Sequence, residues 1–209
     1  TRGNALEYAL AMEEKAADAE SALERFELLG DYQDAKAQAE ACRYAIAQKA
    51  FEQGQIEDAL EGFSALGDFS DAKTQAQRCR YALAQAAYEQ GDYAGAAVLF
   101  EACGAYLDAE DGVLSARYAQ ADALFDAGEY ELAAKGFAEL GSYEDAKQRV
   151  NASEDAWLGK TYNSAKLDMD LGDYAAVVDE LEAYQQSDLP ERYADLRDMY
   201  EQACLNRAQ

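Results

Sequence analysis

The sequence predicts an all-α solenoid of about five helical hairpins followed by a C-terminal capping helix. Three observations carry that expectation. Phenylalanines fall at positions 26, 63, 100 and 137, a constant step of 37 residues. Self-similarity at a period of roughly 20–50 residues marks units that stack into an array. Around each phenylalanine the text itself repeats. Phe63-Ser-Ala-Leu-Gly67-Asp-Phe69-Ser-Asp71-Ala72-Lys73 has counterparts at 26–36 and 137–147, with a looser copy from Phe100. A second turn lies between these blocks: Gly54-Gln-Ile56-Glu-Asp-Ala59 recurs as Gly91-Asp-Tyr93-Ala-Gly-Ala96 and Gly128-Glu-Tyr130-Glu-Leu-Ala133. Two glycine turns per period divide each unit into a long and a short segment. One hairpin cannot bury its own apolar face, whereas a stack can.

Taken in order, the units span about 5–30, 31–67, 68–104, 105–141 and 142–186, with a capping helix over 187–209; together they read as one repeat domain, 1–209. In the first unit, from Leu6 to Ala17, the glycine turn is replaced by Ala17-Asp18, which predicts a truncated long helix. In the units that follow, glycine suits a left-handed position just past a helix end. Asp31, Asp68 and Ser142 come next and read as N-caps of the long helices. Asp34, Asp71, Asp108 and Asp145 follow three residues later, where a carboxylate could accept hydrogen bonds from free first-turn amides. The segment from Phe69 to Gln90 has no breaker. Ala72, Ala76, Cys79, Leu83 and Ala87 form one helical stripe, and Tyr81, Ala84 and Tyr88 an adjacent one. So broad an apolar face suits a helix packed on both flanks. The short segment Tyr93 to Cys103 repeats the logic with Ala96, Ala97 and Phe100. In the fifth unit the step from Gly128 to Gly172 is 44 residues, seven more than the period. Seven residues make nearly two helical turns, which predicts a longer helix with its apolar phase kept; Asn151-Ala-Ser153 could instead interrupt it. Ser187-Asp-Leu-Pro190 then starts the last helix, since proline tolerates a first turn. Its stripe is Tyr193, Leu196, Tyr200 and Ala203.

The block from Tyr81 through Tyr88, Gly91-Asp-Tyr93 and Ala96 to Phe100 resembles the tetratricopeptide repeat. A small residue in the first helix, an aromatic near its end, a Gly-x-Tyr turn, then alanine and an aromatic four apart follow that pattern. The resemblance covers roughly residues 5 to 186. The unit is longer than the usual length of about 34 residues, and Leu-Gly-x-aromatic-x-Asp-Ala replaces the closing proline, so this chain resembles a divergent branch. The signature is also similar to repeats of bacterial envelope-associated proteins. The resemblance implies a right-handed superhelix whose concave face, built mainly from first helices, binds peptides or protein segments. It implies no enzymatic activity.

Composition narrows the function classes. The formal net charge of −24 disfavours nucleic acid and anionic lipid; it could attract a basic protein or peptide as partner, while the preferred reading is a solvated acidic surface. No run of 18 apolar residues exists, so no membrane insertion is expected. The chain opens Thr1-Arg-Gly-Asn without methionine and reads as a processed fragment, with any signal or anchor lying upstream. Cys42, Cys79, Cys103 and Cys204 include no CxxC pair, and the chain has no histidine, which argues against zinc and for small core residues. Asp168-Met-Asp170-Leu-Gly172-Asp173 differs from a calcium loop in its glycine position and reads as a helix end. Asn151-Ala-Ser153 fits a glycosylation acceptor only incidentally. Without histidine or a Gly-rich phosphate loop, neither catalytic residues nor a cofactor are expected.

Two columns remain as candidates. Arg43, Arg80 and Arg117 recur at the period and lie between apolar stripes. They either grip a ligand anion or, the preferred reading, form inter-helix ion pairs. Gln48, Gln85 and Asp122, with Glu52, Glu89 and Asp126 one turn later, lie on the opposite helix side. They line an acidic groove for a basic peptide or form ordinary solvated surface. The expected function is a non-catalytic protein- or peptide-binding scaffold or a structural spacer. The alternatives are a glycan- or cell-wall-binding module, with exposed tyrosines as stacking platforms, and an accessory domain of a larger regulator.

Overall fold

Helix and turn alternate along the whole described chain, residues 2–186 and 189–208 of a computed structural model. The α-helices are α1 (Arg2–Glu14), α2 (Ala19–Leu29), α3 (Ala35–Glu52), α4 (Ile56–Leu66), α5 (Ala72–Glu89), α6 (Tyr93–Cys103), α7 (Ala109–Asp126), α8 (Tyr130–Glu139), α9 (Ala146–Leu171), α10 (Tyr174–Leu181) and α11 (Leu196–Arg207). No strand occurs among the described residues. Long helices of 18 residues (α3, α5, α7) alternate with short ones of 10 or 11 (α4, α6, α8). Each packs on its neighbours in sequence, so the architecture is an all-α, solenoid-like succession of hairpins.

The chain divides into two compact parts, Thr1–Ala116 and Arg117–Gln209, with the boundary inside α7. In the first part the core is a series of layers, each set by one phenylalanine among alanines and a cysteine. Phe26 lies with Ala22, Ala35, Ala39 and Cys42, and Phe63 with Ala59, Ala72, Ala76 and Cys79. Alanine costs no side-chain entropy and lets helices approach closely. At Gly62 the approach is tighter still: an added Cβ would sit 2.8 Å from the Ala47 Cβ. In the second part, Val177, Leu181, Leu196, Ala165 and Ala203 join α9, α10 and α11 in one core.

The two glycine turns differ. Gly54, Gly91, Gly128 and Gly172 have φ near 78° and follow the long helices; at Gly172, ψ 16° makes this a left-handed cap as expected. Asp92 and Asp173 follow and cap the short helices, accepting from the amides of Gly95 and Ala176 at 3.0 and 3.2 Å. The other glycines depart from the expectation. Gly30, Gly67 and Gly104 combine φ of 54–57° with ψ of −113 to −131°, outside the left-handed helical region and open essentially to glycine.

The expected caps of the long helices also need correction. The helices begin at Ala35, Ala72 and Ala146, so Asp31, Asp68 and Ser142 lie too early to cap them. Asp31 and Asp68 instead pair with Lys36 and Lys73. Asp34, Asp71 and Asp145 occupy the N-cap positions but accept no cap hydrogen bond through their side chains. Each bonds to a tyrosine of the preceding long helix.

At the far end, α9 runs unbroken for 26 residues through Asn151-Ala-Ser153, and the buried Ser153 hydroxyl donates to the Arg149 carbonyl at 2.7 Å. Of the segment expected to start the last helix, Ser187 and Asp188 lie outside the described residues. Pro190 precedes a 3-10 turn, Glu191–Tyr193, and α11 begins only at Leu196. The predicted stripe holds: Leu196 and Ala203 are fully buried and Tyr193 and Tyr200 half-buried.

Candidate functional site

The most regular residues of the period form a packing lock between consecutive hairpins. Tyr44 on α3 inserts its ring between Phe63 and Phe69, centroids 5.4 and 6.1 Å away, and its hydroxyl donates to the Asp71 carboxylate at 2.5 Å. Tyr8 does the same with Phe26, Tyr32 and Asp34, and Tyr81 with Phe100, Tyr106 and Asp108. In the second part Tyr118 meets Phe137, Tyr143 and Asp145. Gln38 and Gln75 hold the second oxygens of Asp34 and Asp71 at 2.9 Å. Hydrogen bonds from Tyr44 and Gln75 keep the Asp71 carboxyl below the usual carboxylate range, and the Asp34 carboxyl is lowered in the same way by Tyr8 and Gln38. The bond to Asp145 raises the Tyr118 phenol to about 12.

The same lock closes the last helix, unnoticed in the sequence. Tyr162 packs on Tyr193 at 5.8 Å and donates to Asp195 at 3.0 Å. The signal was there: Tyr193-Ala-Asp195-Leu196 matches Tyr143-Glu-Asp145-Ala146. Its offset of 50 residues rather than 37, and leucine in place of alanine, hid it.

All fifteen tyrosines are half-buried, so none of them is an exposed stacking platform. Cys42, Cys79 and Cys103 are buried core residues, and burial raises their thiols; Cys204 is half-buried.

Two kinds of groove remain on the first part. One, of about 330 Å³, lies between α3 and α5 and is lined by Gln48, Phe51, Glu52, Phe63, Gln75 and Arg78. The candidates Gln48 and Glu52 are thus brought together with Gln75 and Arg78 of the next long helix. Arg78 lies over the Phe51 ring at 4.3 Å, so the groove carries a cation beside its acid. Gln85 and Glu89 occupy the equivalent exposed positions on α5. In the second part Asp126 is exposed, whereas the half-buried Asp122 is ion-paired with Arg149, whose guanidinium lies over Phe125 and Phe137.

The second kind of groove lies on the arginine side. Between α2 and α3 it is lined by Glu27, Gly30, Lys36, Glu40 and Arg43 over Phe26, and Arg43 pairs with Glu27 at 2.6 Å, an inter-helix ion pair as expected. Between α4 and α5 the equivalent groove, about 470 Å³, is lined by Phe63, Ser64, Lys73, Ala76, Gln77 and Arg80. Arg80 is half-buried and makes no ion pair with any described residue, so the expected column of pairs does not extend to it. Arg117 is the exposed first residue of the second part. Asp168–Asp173 is the end of α9 with its glycine cap and the cap of α10, and no group of potential metal ligands occurs among the described residues. No helix is long and apolar enough to cross a membrane among the described residues.

What these elements define is a class, an all-α array of hairpins with open grooves between successive helices. No protein-family model matches the chain, and no curated protein matches it either.

Proposed function

We propose that this chain is a non-catalytic scaffold of tetratricopeptide-like type that binds a protein or peptide segment, with its acidic surface favouring a basic partner. The observation that carries this reading is the division of labour within the period. The aromatic and aspartate positions are used up in locks between hairpins, while Gln48 and Glu52 stay exposed on an open groove between two long helices. Amide and carboxylate side chains there can hydrogen-bond an extended backbone and attract cationic side chains. Half-buried tyrosines paired edge-on with other rings speak for packing rather than glycan stacking.

The test is a titration of a fluorescent lysine-rich peptide at low and high salt against the wild type and a Gln48→Ala, Glu52→Gln, Glu89→Gln variant. Binding that weakens with salt, and drops about tenfold in the variant, is expected. Salt-independent binding, unchanged in the variant, would overturn the basic-partner reading.

A further inference from the structure

The arginine-side grooves of the first part share one geometry but differ in charge. Counting by the 37-residue step, Ser64 stands where the first groove has Glu27, and Gln77 where it has Glu40. Lys73 and Arg80 keep the places of Lys36 and Arg43. The first groove therefore balances two cations with two carboxylates, and the second keeps both cations without either carboxylate. Asp68 holds Lys73 at 2.5 Å, as Asp31 holds Lys36, so Lys73 is largely neutralised at the rim. Arg80 is left as a half-buried guanidinium with no carboxylate among the described residues. Partial burial strips a cation of water without supplying a counter-charge, a condition that favours binding an anion. The planar guanidinium matches a carboxylate with two parallel hydrogen bonds.

We infer that the groove between α4 and α5 binds an acidic side chain of a peptide segment, whose carboxylate takes the place on Arg80 that Glu27 takes on Arg43. Ser64 leaves the room for it and offers a hydroxyl donor, and the Gln77 amide lies on the opposite wall. Phe63 and Ala76 form an apolar floor for the methylenes of a glutamate. The groove is an open trough, so a lone small anion would find one guanidinium and solvent, whereas a peptide adds backbone contacts along the walls. The site lies across α5 from the groove of Gln48 and Glu52, where Arg78 stands beside the Glu52 carboxylate, and it differs in having cations and no carboxylate in its lining, so it goes beyond the proposed function while resting on its reading of the chain as a peptide-binding scaffold.

The probe is a fluorescein-labelled peptide with glutamates at its centre and neutral flanks, compared with the same peptide carrying glutamine and with one carrying phosphoserine. Arg80→Gln removes the cation. Ser64→Glu rebuilds inside the chain the pair already present at Glu27–Arg43, and its melting temperature checks that the fold is kept. The glutamate peptide is expected to bind the wild type and to weaken about tenfold in both variants. A Glu27→Ser, Glu40→Gln variant is expected to gain a second binding site at Arg43. Equal binding of the glutamate and glutamine peptides, absence of binding, or undiminished binding to a folded Ser64→Glu variant would overturn the inference; tighter binding of the phosphoserine peptide would overturn the assignment to a carboxylate. The lysine-rich peptide serves as the control, because its binding should not depend on Ser64 or Arg80. Its loss from the wild type would count against the proposed function and leave the Arg80 result standing.

Discussion

Tyr44 joins two effects in one side chain, ring packing against Phe63 and a hydrogen bond to Asp71. Tyr44→Phe separates them. The ring stays and the donor goes, and the melting temperature is expected to fall by about 1–3 °C, since a partly exposed hydrogen bond contributes little. The pH dependence of that difference follows from the shifts. The Asp71 carboxyl lies below its usual range, so its contribution is present above the unfolded carboxylate pKa of about 3.9 and is lost as pH falls through the lower folded value. The Tyr44 phenol is raised by the same bond, so its contribution is complete below about 10 and is lost as pH rises through the folded value. Melts of wild type and Tyr44→Phe should therefore differ by a constant amount between about pH 5 and 9, and the gap should narrow as pH falls through the folded carboxyl value or rises through the folded phenol value; a gap that does not narrow in acid would contradict the assignment. The sequence showed the period of these aspartates and suggested a cap role. Their tyrosine partners stayed hidden because donor and acceptor lie 26 or 27 residues apart, on different hairpins.

Each inter-hairpin turn contains one strained element residue besides its glycine. Gln33, Ser70, Leu107 and Glu144 have φ of 45–51° without being glycine, and Leu107 is also 72% exposed. Left-handed backbone is unfavourable for a residue with a Cβ. Leu107→Gly should raise stability by up to about 1 kcal/mol, and Gly67→Ala, at φ 55° and ψ −115°, should lower it by about 1–3 kcal/mol, both read by urea unfolding. If both left the midpoint unchanged, the turn geometry would be wrong. Hairpin order, the long–short alternation and the extended α9 were legible in the sequence because glycine spacing and apolar phase are local signals. Helix starts and the geometry of Gly30, Gly67 and Gly104 were not. They depend on where the chain must turn to bring a tyrosine onto the next phenylalanine, which is a tertiary condition. The start of α11 failed for the same reason: proline tolerates a first turn, but Leu196, buried against α10 and α9, decides where the helix begins. Removal of residues 187–209 should uncover Val177 and Leu181 and lower the melting temperature of the second part, with dye binding to newly exposed apolar surface.

At the scale of the whole molecule, charge dominates. A net charge of −24 on 209 residues repels itself as well as partners of like sign. Raising salt from a few millimolar to physiological strength shortens the Debye length to about 8 Å and should raise the melting temperature; a decrease would mean that ion pairs such as Arg25 with Glu7 and Glu14 outweigh the repulsion. The candidate columns were legible as positions and not as a site, because the arginines that answer them, Arg78 and Arg149, sit on the following long helix and outside any common period.

The tyrosine–aspartate lock has one further consequence, for how such a chain can change its length. Each 37-residue cassette carries the donor for the next hairpin and the acceptor for the previous one. A tandem duplication or deletion of one whole period, wherever its breakpoints fall, rejoins a donor to an acceptor at the native register, while most other lengths leave a ring and a carboxylate without their mates. The fifth hairpin shows the exception that the geometry allows. The seven extra residues carry Tyr162 nearly two turns along α9, and its acceptor, Asp195, moves to 33 residues away. The genetic unit of this architecture is thus set by a bond between neighbours rather than by the boundaries of any one hairpin.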